Sequence, residues 1–220
     1  MSEAAALQKL LTWLSPAFPV GAFAYSAGLE QAIAAGRVHD RATVSAWIEG
    51  ALRHGGLRTD AILLAQAHKA SAEPERLAEL ADLARALAPA RQRLAEMHGV
   101  GEAFLQAASA WPCPVLETLP RPCPYPVAVG AVAAGHDLPL GLTLTAFLTA
   151  AVQGQVSVAV RLVPLGQVAG LAVQAGLELL VAQQAEMAAG AGIDDLAAIG
   201  YAADIAQMHH ETLEPRLFRS

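Results

Sequence analysis

The residues best suited to chemistry sit near the end of the chain, at His209-His210-Glu211. Two imidazoles and a carboxylate are metal-ligand types, and a small helical metallohydrolase is the enzyme that this trio would serve. Their spacing argues against it. Adjacent residues on a helix point about 100° apart, whereas metal-binding helices place ligands three or four positions apart. His39, His54, His68, His98 and His136 are scattered without ligand spacing. The sequence contains neither a G-x-x-x-x-G-K-[ST] phosphate loop nor a G-x-S-x-G elbow,. No catalytic residue, metal site or cofactor is expected.

Two further segments are unusual for helix packing alone. Ser15 to Glu30 contains two prolines and two glycines around Phe18, Phe23 and Tyr25. It reads as a rigid turn feeding a helix, with Gly28 allowing close backbone approach and Glu30 capping, pairing or meeting a partner. Arg161, at the end of an apolar helix before Val163-Pro164-Leu165-Gly166, must find an acceptor or water,. The C-terminal carbonyls of that helix are the expected partners. The tail, Thr212 to Ser220, sets Leu217 and Phe218 between Arg216 and Arg219. A segment of that kind docks on this chain or on another.

The elements around these segments read as helices. The 220 residues are 55% hydrophobic, 15% charged and only 5% aromatic, so the apolar content is alanine, leucine and valine. Alanine and leucine favour helix, and low charge leaves apolar surface over for interaction. Helices are expected over 5–14, 23–35, 41–54, 59–70, 72–87 and 90–109. Asp40 caps the third of these, Ser71 caps the fifth, and Thr59 or Asp60 opens the fourth. Six prolines between residues 111 and 126 predict an extended connector without helix. Beyond it, helices are expected over 127–135, 139–152 and 154–162. The last could also be a strand, because Val156, Val158, Val160 and Leu162 alternate. A long helix to about Ala189 and a final one from Asp194 to Glu211 complete the set.

The net charge of −6 and the lack of a basic patch make nucleic acid an unlikely partner. The N-terminus lacks the basic start and cleavage site of a signal peptide. The longest uninterrupted apolar run, Leu138 to Val152, is shorter than the ~20 residues of a membrane span. A cytoplasmic protein without membrane attachment is therefore expected, and Cys113 and Cys123 read as free thiols. A membrane-surface helical protein is disfavoured by the missing basic face.

Taken together, the three segments resemble the UreF family of urease accessory proteins. The opening match is Ser15-Pro16 through Pro19-Val20-Gly21, then Ser26-Ala27-Gly28-Leu29-Glu30. The central match is Ala159 to Gln167. The closing match is Met208 to Glu211 with Arg216-Leu217-Phe218-Arg219-Ser220. The family often has asparagine where Gln155 stands before Val156.

The resemblance implies an all-α fold, a single helical bundle of about ten helices over residues 1–220, and a helical 154–162. It also implies a homodimer that binds a UreD- or UreH-type protein, recruits the nickel-binding GTPase UreG and assists nickel entry into urease apoprotein, without catalysis of its own. Partner contacts then fall on Tyr25, Ser26, Gly28, Leu29, Glu30, Arg161, His210, Glu211 and the tail residues Arg216, Leu217, Phe218, Arg219 and Ser220. Gly28, Leu29 and Glu30 are expected to face the GTPase, and the tail to face the UreD-type partner.

Overall fold

A computed structural model describes residues 2–196 and 200–220. The described residues fold into eleven α-helices and two 3-10 turns. The fold is all-α, as expected.

Helix α1 (Glu3–Trp13) begins at Ser2, whose hydroxyl accepts from Ala5 N. A 3-10 turn at Ala22–Ala24 and the short α2 (Leu29–Ala34) replace the single helix expected over 23–35. The break between them lies at Ala27 and Gly28, which have φ of +50° and +82°. Left-handed backbone cannot continue a helix. Helix α3 (Arg41–His54) starts with a reciprocal cap: Asp40 accepts from Thr43 N at 2.8 Å, and the Thr43 hydroxyl receives Asp40 N at 3.0 Å. Val44, Ile48 and Leu52 form its buried stripe.

Helix α4 (Gly56–Lys69) follows immediately, because extended Gly55 alone breaks the chain. Asp60 is therefore inside α4 and does not start it. Helix α5 (Pro74–Ala86) has Pro74 in its first turn and no side-chain cap, so Ser71 does not serve there. Helix α6 (Arg91–Ala108) buries Met97, Val100, Phe104, Leu105 and Ala108.

The proline-rich connector contains a helical turn, α7 (Val115–Thr118), and α8 (Tyr125–Gly135) starts inside it. Prolines at the start of a helix lack only N–H groups that would be unpaired anyway. Pro114 and Pro126 occupy such places. The helices expected at 139–152 and 154–162 are one, α9 (Leu140–Leu162), followed by α10 (Gly166–Gly190). Gly154 lowers helix propensity without interrupting the run. Both α9 and α10 are long and apolar enough to cross a membrane by length and composition. In the bundle they pack on each other, and α10 also packs on α3 and α4. A 3-10 turn at Ile193–Leu196 and α11 (Tyr201–His210) stand where a helix from Asp194 was expected. Part of that expected helix, 197–199, lies outside the described residues.

The centre is the α4–α8 pair, where eight consecutive α8 residues, Pro126 to Ala133, are buried. Trp13 stacks edge-on against Phe104, Trp111 and His136, which closes one end of the bundle. The His136 ring is fixed there. Its Nε2 lies 3.0 Å from Trp111 O and its Nδ1 lies 3.2 Å from Lys9 Nζ. The lysine donates to Nδ1, and Nε2–H donates to the carbonyl.

Both cysteines are free. Cys123 is fully buried, and burial pushes its thiol up to about 12. Cys113 is half-buried and is raised by the same cause. Because the thiolate is the reactive form, iodoacetamide at pH 8 is expected to modify Cys113 and spare Cys123 until the chain is unfolded. Peptide mass mapping of the native protein checks this, and equal labelling of both would contradict it.

Candidate functional site

The two unusual ends of the sequence meet at Glu30. Gly28 begins the arrangement. Its Cα lies so close to α11 that an added Cβ would be 3.0 Å from Gln207 N and 3.2 Å from Ala203 O. The absence of a side chain at this point lets α2 lie against α11. Two residues further, the Glu30 side chain is nearly fully buried (7% exposed) and has three donors. Oε1 accepts from Leu217 N at 2.7 Å, and Oε2 accepts from Phe218 N at 3.1 Å and from His210 Nε2 at 2.8 Å. Charge-assisted bonds of this type are among the stronger ones in proteins.

The tail then pairs with the segment before α2. Arg219 N donates to Ala24 O at 2.8 Å, and Ser26 N donates to Ser220 O at 2.7 Å. The Ser26 hydroxyl also donates to Ser220 O. Gln155 Nε2 reaches Ser26 O at 3.1 Å from α9, so the amide at this position ties the central segment to the same corner. Phe218 is buried, with the Arg161 guanidinium 5.9 Å from its ring centre. Arg219 lies at the same distance over Tyr25. Arg161 therefore sits over an aromatic face, where carbonyl contacts were expected.

The His209-His210-Glu211 trio is divided among separate tasks. His210 is buried, with Glu30 on one nitrogen and Gln92 Oε1 2.8 Å from the other. Glu211 turns to α6, where it accepts from Arg91 N at 2.9 Å and so caps that helix. His209 faces solvent. These three side chains do not converge. Arg216 reaches the carbonyls of His210 and Glu211 at the end of α11, each at 3.5 Å.

Gly28, Leu29 and Glu30 are all buried. They do not form an exposed surface; they hold the tail. Ser26, His210, Phe218 and Ser220 are likewise interior, while Arg161, Arg216, Leu217 and Arg219 are exposed.

Sequence reasoning missed a second anchor. The Ser220 hydroxyl donates to Glu96 Oε2 at 3.0 Å. Glu96 pairs with Arg93 at 3.2 Å, and Arg93 also pairs with Asp60 on α4. Burial opposes the Arg93 charge, but Asp60 and Glu96 outweigh it and hold the guanidinium above its ordinary value. Burial raises Glu96 above the usual carboxylate range despite Arg93 and the Ser220 hydroxyl. The available signal was an opposite pair at i, i+3, Arg93 and Glu96, flanking the apolar stripe of α6.

The comparisons with known proteins agree with this architecture. The family model described as UreF matches residues 38–178. A urease accessory protein UreF from Agrobacterium fabrum is 51% identical over 219 residues, covering 100% of this chain and 98% of that protein. This chain belongs to the UreF family. A UreF from Rhizobium leguminosarum bv. viciae is 51% identical over 218 residues, covering 99% of this chain and 98% of its own length. A Brucella canis protein named urease accessory protein UreF 1 is 45% identical, covering 98% and 94%. UreF proteins are accessory factors and not enzymes. The UreF match to 38–178 excludes the tail and Glu30, whereas the full-length relatives span both.

Proposed function

We propose that this UreF-family chain is a non-catalytic scaffold for urease maturation. In this reading it binds a UreD/UreH-type protein, recruits a UreG-type GTPase and assists nickel entry into urease apoprotein in the cytoplasm, with residues 1–220 acting as one helical unit. The carrying observation is the Glu30 clamp, which spends a buried carboxylate on ordering a tail whose Arg216, Leu217 and Arg219 face outward. Leu217 is 78% exposed and Phe23, beside the segment paired with the tail, is 67% exposed. Tyr201, Ile205 and Met208 add an apolar stripe on the outer side of α11. Ordered apolar and arginine side chains of this kind are the usual anchors of protein interfaces.

The test is urease activation in a host lacking its own UreF. The full chain is expected to restore activity. A chain ending at Pro215 is expected to stay helical, to lose co-purification with the UreD-type protein and to restore none. Normal capture by the shortened chain would count against the reading.

The homodimer has its own candidate face. Along α10, Val168, Leu171, Ala172, Ala175, Gly176, Leu179 and Ala182 are exposed at helical spacing. Leu171 and Leu179 are symmetric about Ala175, so an antiparallel two-fold contact sets each opposite the other in the second copy. Leu171→Glu/Leu179→Glu is expected to give monomers by light scattering, and Leu171→Lys/Leu179→Glu to keep the dimer. The same mass for both variants would reject this face.

A further inference from the structure

A cleft beside the second tail anchor lies between the start of α4, the end of α5, Arg93 and Met97 of α6, the 3-10 turn and α11. Its volume is about 70 Å³, room for about two water molecules at ~30 Å³ each. Asp60, Asp204 and Gln207 line it. Gln207 is 94% buried, since its relative exposure is 6%, and its Oε1 has no hydrogen-bond partner among the described residues. The Gln207 amide nitrogen already faces Ala203 O at 3.4 Å, so turning the amide over would bring two acceptors together. Asp204 lies one turn earlier, in the first turn of the same helix. Burial raises its carboxyl above the usual range,. Arg93, the cation in the lining, is shared between Asp60 and Glu96. The first turns of α4 and α11 place positive partial charge on two walls, but the lining side chains, Asp60 and Asp204 against Arg93, still carry excess negative charge.

A small site with three acceptor groups and an excess of negative charge matches a primary ammonium, which has three donors, no acceptor and about the size of a water molecule. A guanidinium is larger and planar. The chain has two lysines, Lys9 and Lys69. They are held by His136 Nδ1 and by Ala189 O. We infer that the cleft between α4 and α11 receives a lysine ammonium from a different protein of the assembly, bound by Asp204, Gln207 Oε1 and Asp60. This rests on the scaffold reading only for which protein carries the lysine.

The test begins with the isolated, isotope-labelled chain, so its outcome is separate from urease activation. n-Butylammonium chloride is expected to give saturable amide shifts at Gly55, Gly56, Asp204 and Gln207. Tetramethylammonium chloride, which has no N–H donor, is expected to give none at equal ionic strength. Asp204→Asn and Gln207→Met are each expected to weaken n-butylammonium binding at least tenfold with an unchanged circular-dichroism spectrum. In the reconstituted complex, a zero-length carbodiimide crosslink is expected between Asp204 and a partner lysine. Shifts that do not saturate mean ordered water only and overturn the inference. So do equal shifts with tetramethylammonium, or saturation by ammonium chloride but not by n-butylammonium.

Discussion

Glu30→Ala is expected to release the tail and abolish urease activation while leaving the helical bundle folded. The substitution removes the acceptor for Leu217 N, Phe218 N and His210 Nε2 together. A buried donor left without a partner costs roughly 1–3 kcal/mol, so three at once exceed what a short terminal segment can sustain. The chain avoids that penalty by letting the tail detach into water, a local opening of the kind that terminal segments undergo most readily. Hydrogen exchange is the direct readout. The amides of Leu217, Phe218 and Arg219 are expected to lose protection, as is that of Ser26, which donates to Ser220 O. Amides of α4 and α8 should keep theirs. Glu30→Gln is the milder companion, because its carbonyl preserves one acceptor while its NH2 opposes a donor. Normal urease activation by Glu30→Ala at unchanged protein level would remove the tail from the mechanism.

The second large effect concerns the centre of the bundle. Gly130 of α8 lies against the backbone of α4. A Cβ at this point would fall far inside van der Waals contact of Leu64 O and 3.2 Å from the Ala67 methyl. The obstacle is main chain, so no side-chain rotation relieves it, and the two helices must separate. Overpacking costs typically 1–3 kcal/mol. With α8 buried over eight consecutive residues, Gly130→Val is expected near ~3 kcal/mol, or roughly 6–12 °C in Tm for a chain of this size. Gly50, exposed on α3 with open space around its Cα, is the control. Gly50→Ala is expected to raise stability by about 0.4–1 kcal/mol. A Gly130→Val protein that melts with the parent would show that the α4–α8 contact is looser than its geometry.

Much of this architecture is legible in local chemistry. Asp40 with Thr43, the apolar stripe Val44, Ile48 and Leu52, and the punctuation at Gly55 and Pro74 each concern residues close in sequence, where spacing is informative. The missed features depend on context. Val156, Val158 and Val160 alternate in sequence yet belong to a 23-residue helix, because packing along α10 decides the conformation and β-branched residues only lean towards strand. Val115 to Thr118 wind a turn between prolines that occupy tolerated positions. The break at Ala27 requires positive φ in an alanine, which no propensity foretells.

The site divides in the same way. That Phe218 and Leu217 should dock was evident from their character. Their acceptor lies 188 and 187 residues away, a pairing that spacing cannot encode. Arg93, Asp60 and Glu96 were invisible as a network because charges on a helix ordinarily face water. Burial of Gly28, Leu29 and Glu30 reverses the role that their family resemblance implies, from contact to support.

The clamp also has a timing. Glu30 leaves the ribosome 180 residues ahead of His210 and further ahead of the two amides it binds. At ~5–20 residues per second, the carboxylate stays hydrated for roughly 10 to 40 s while the rest of the polypeptide is made. A nascent product that stops before residues 217–220 therefore lacks the finished corner.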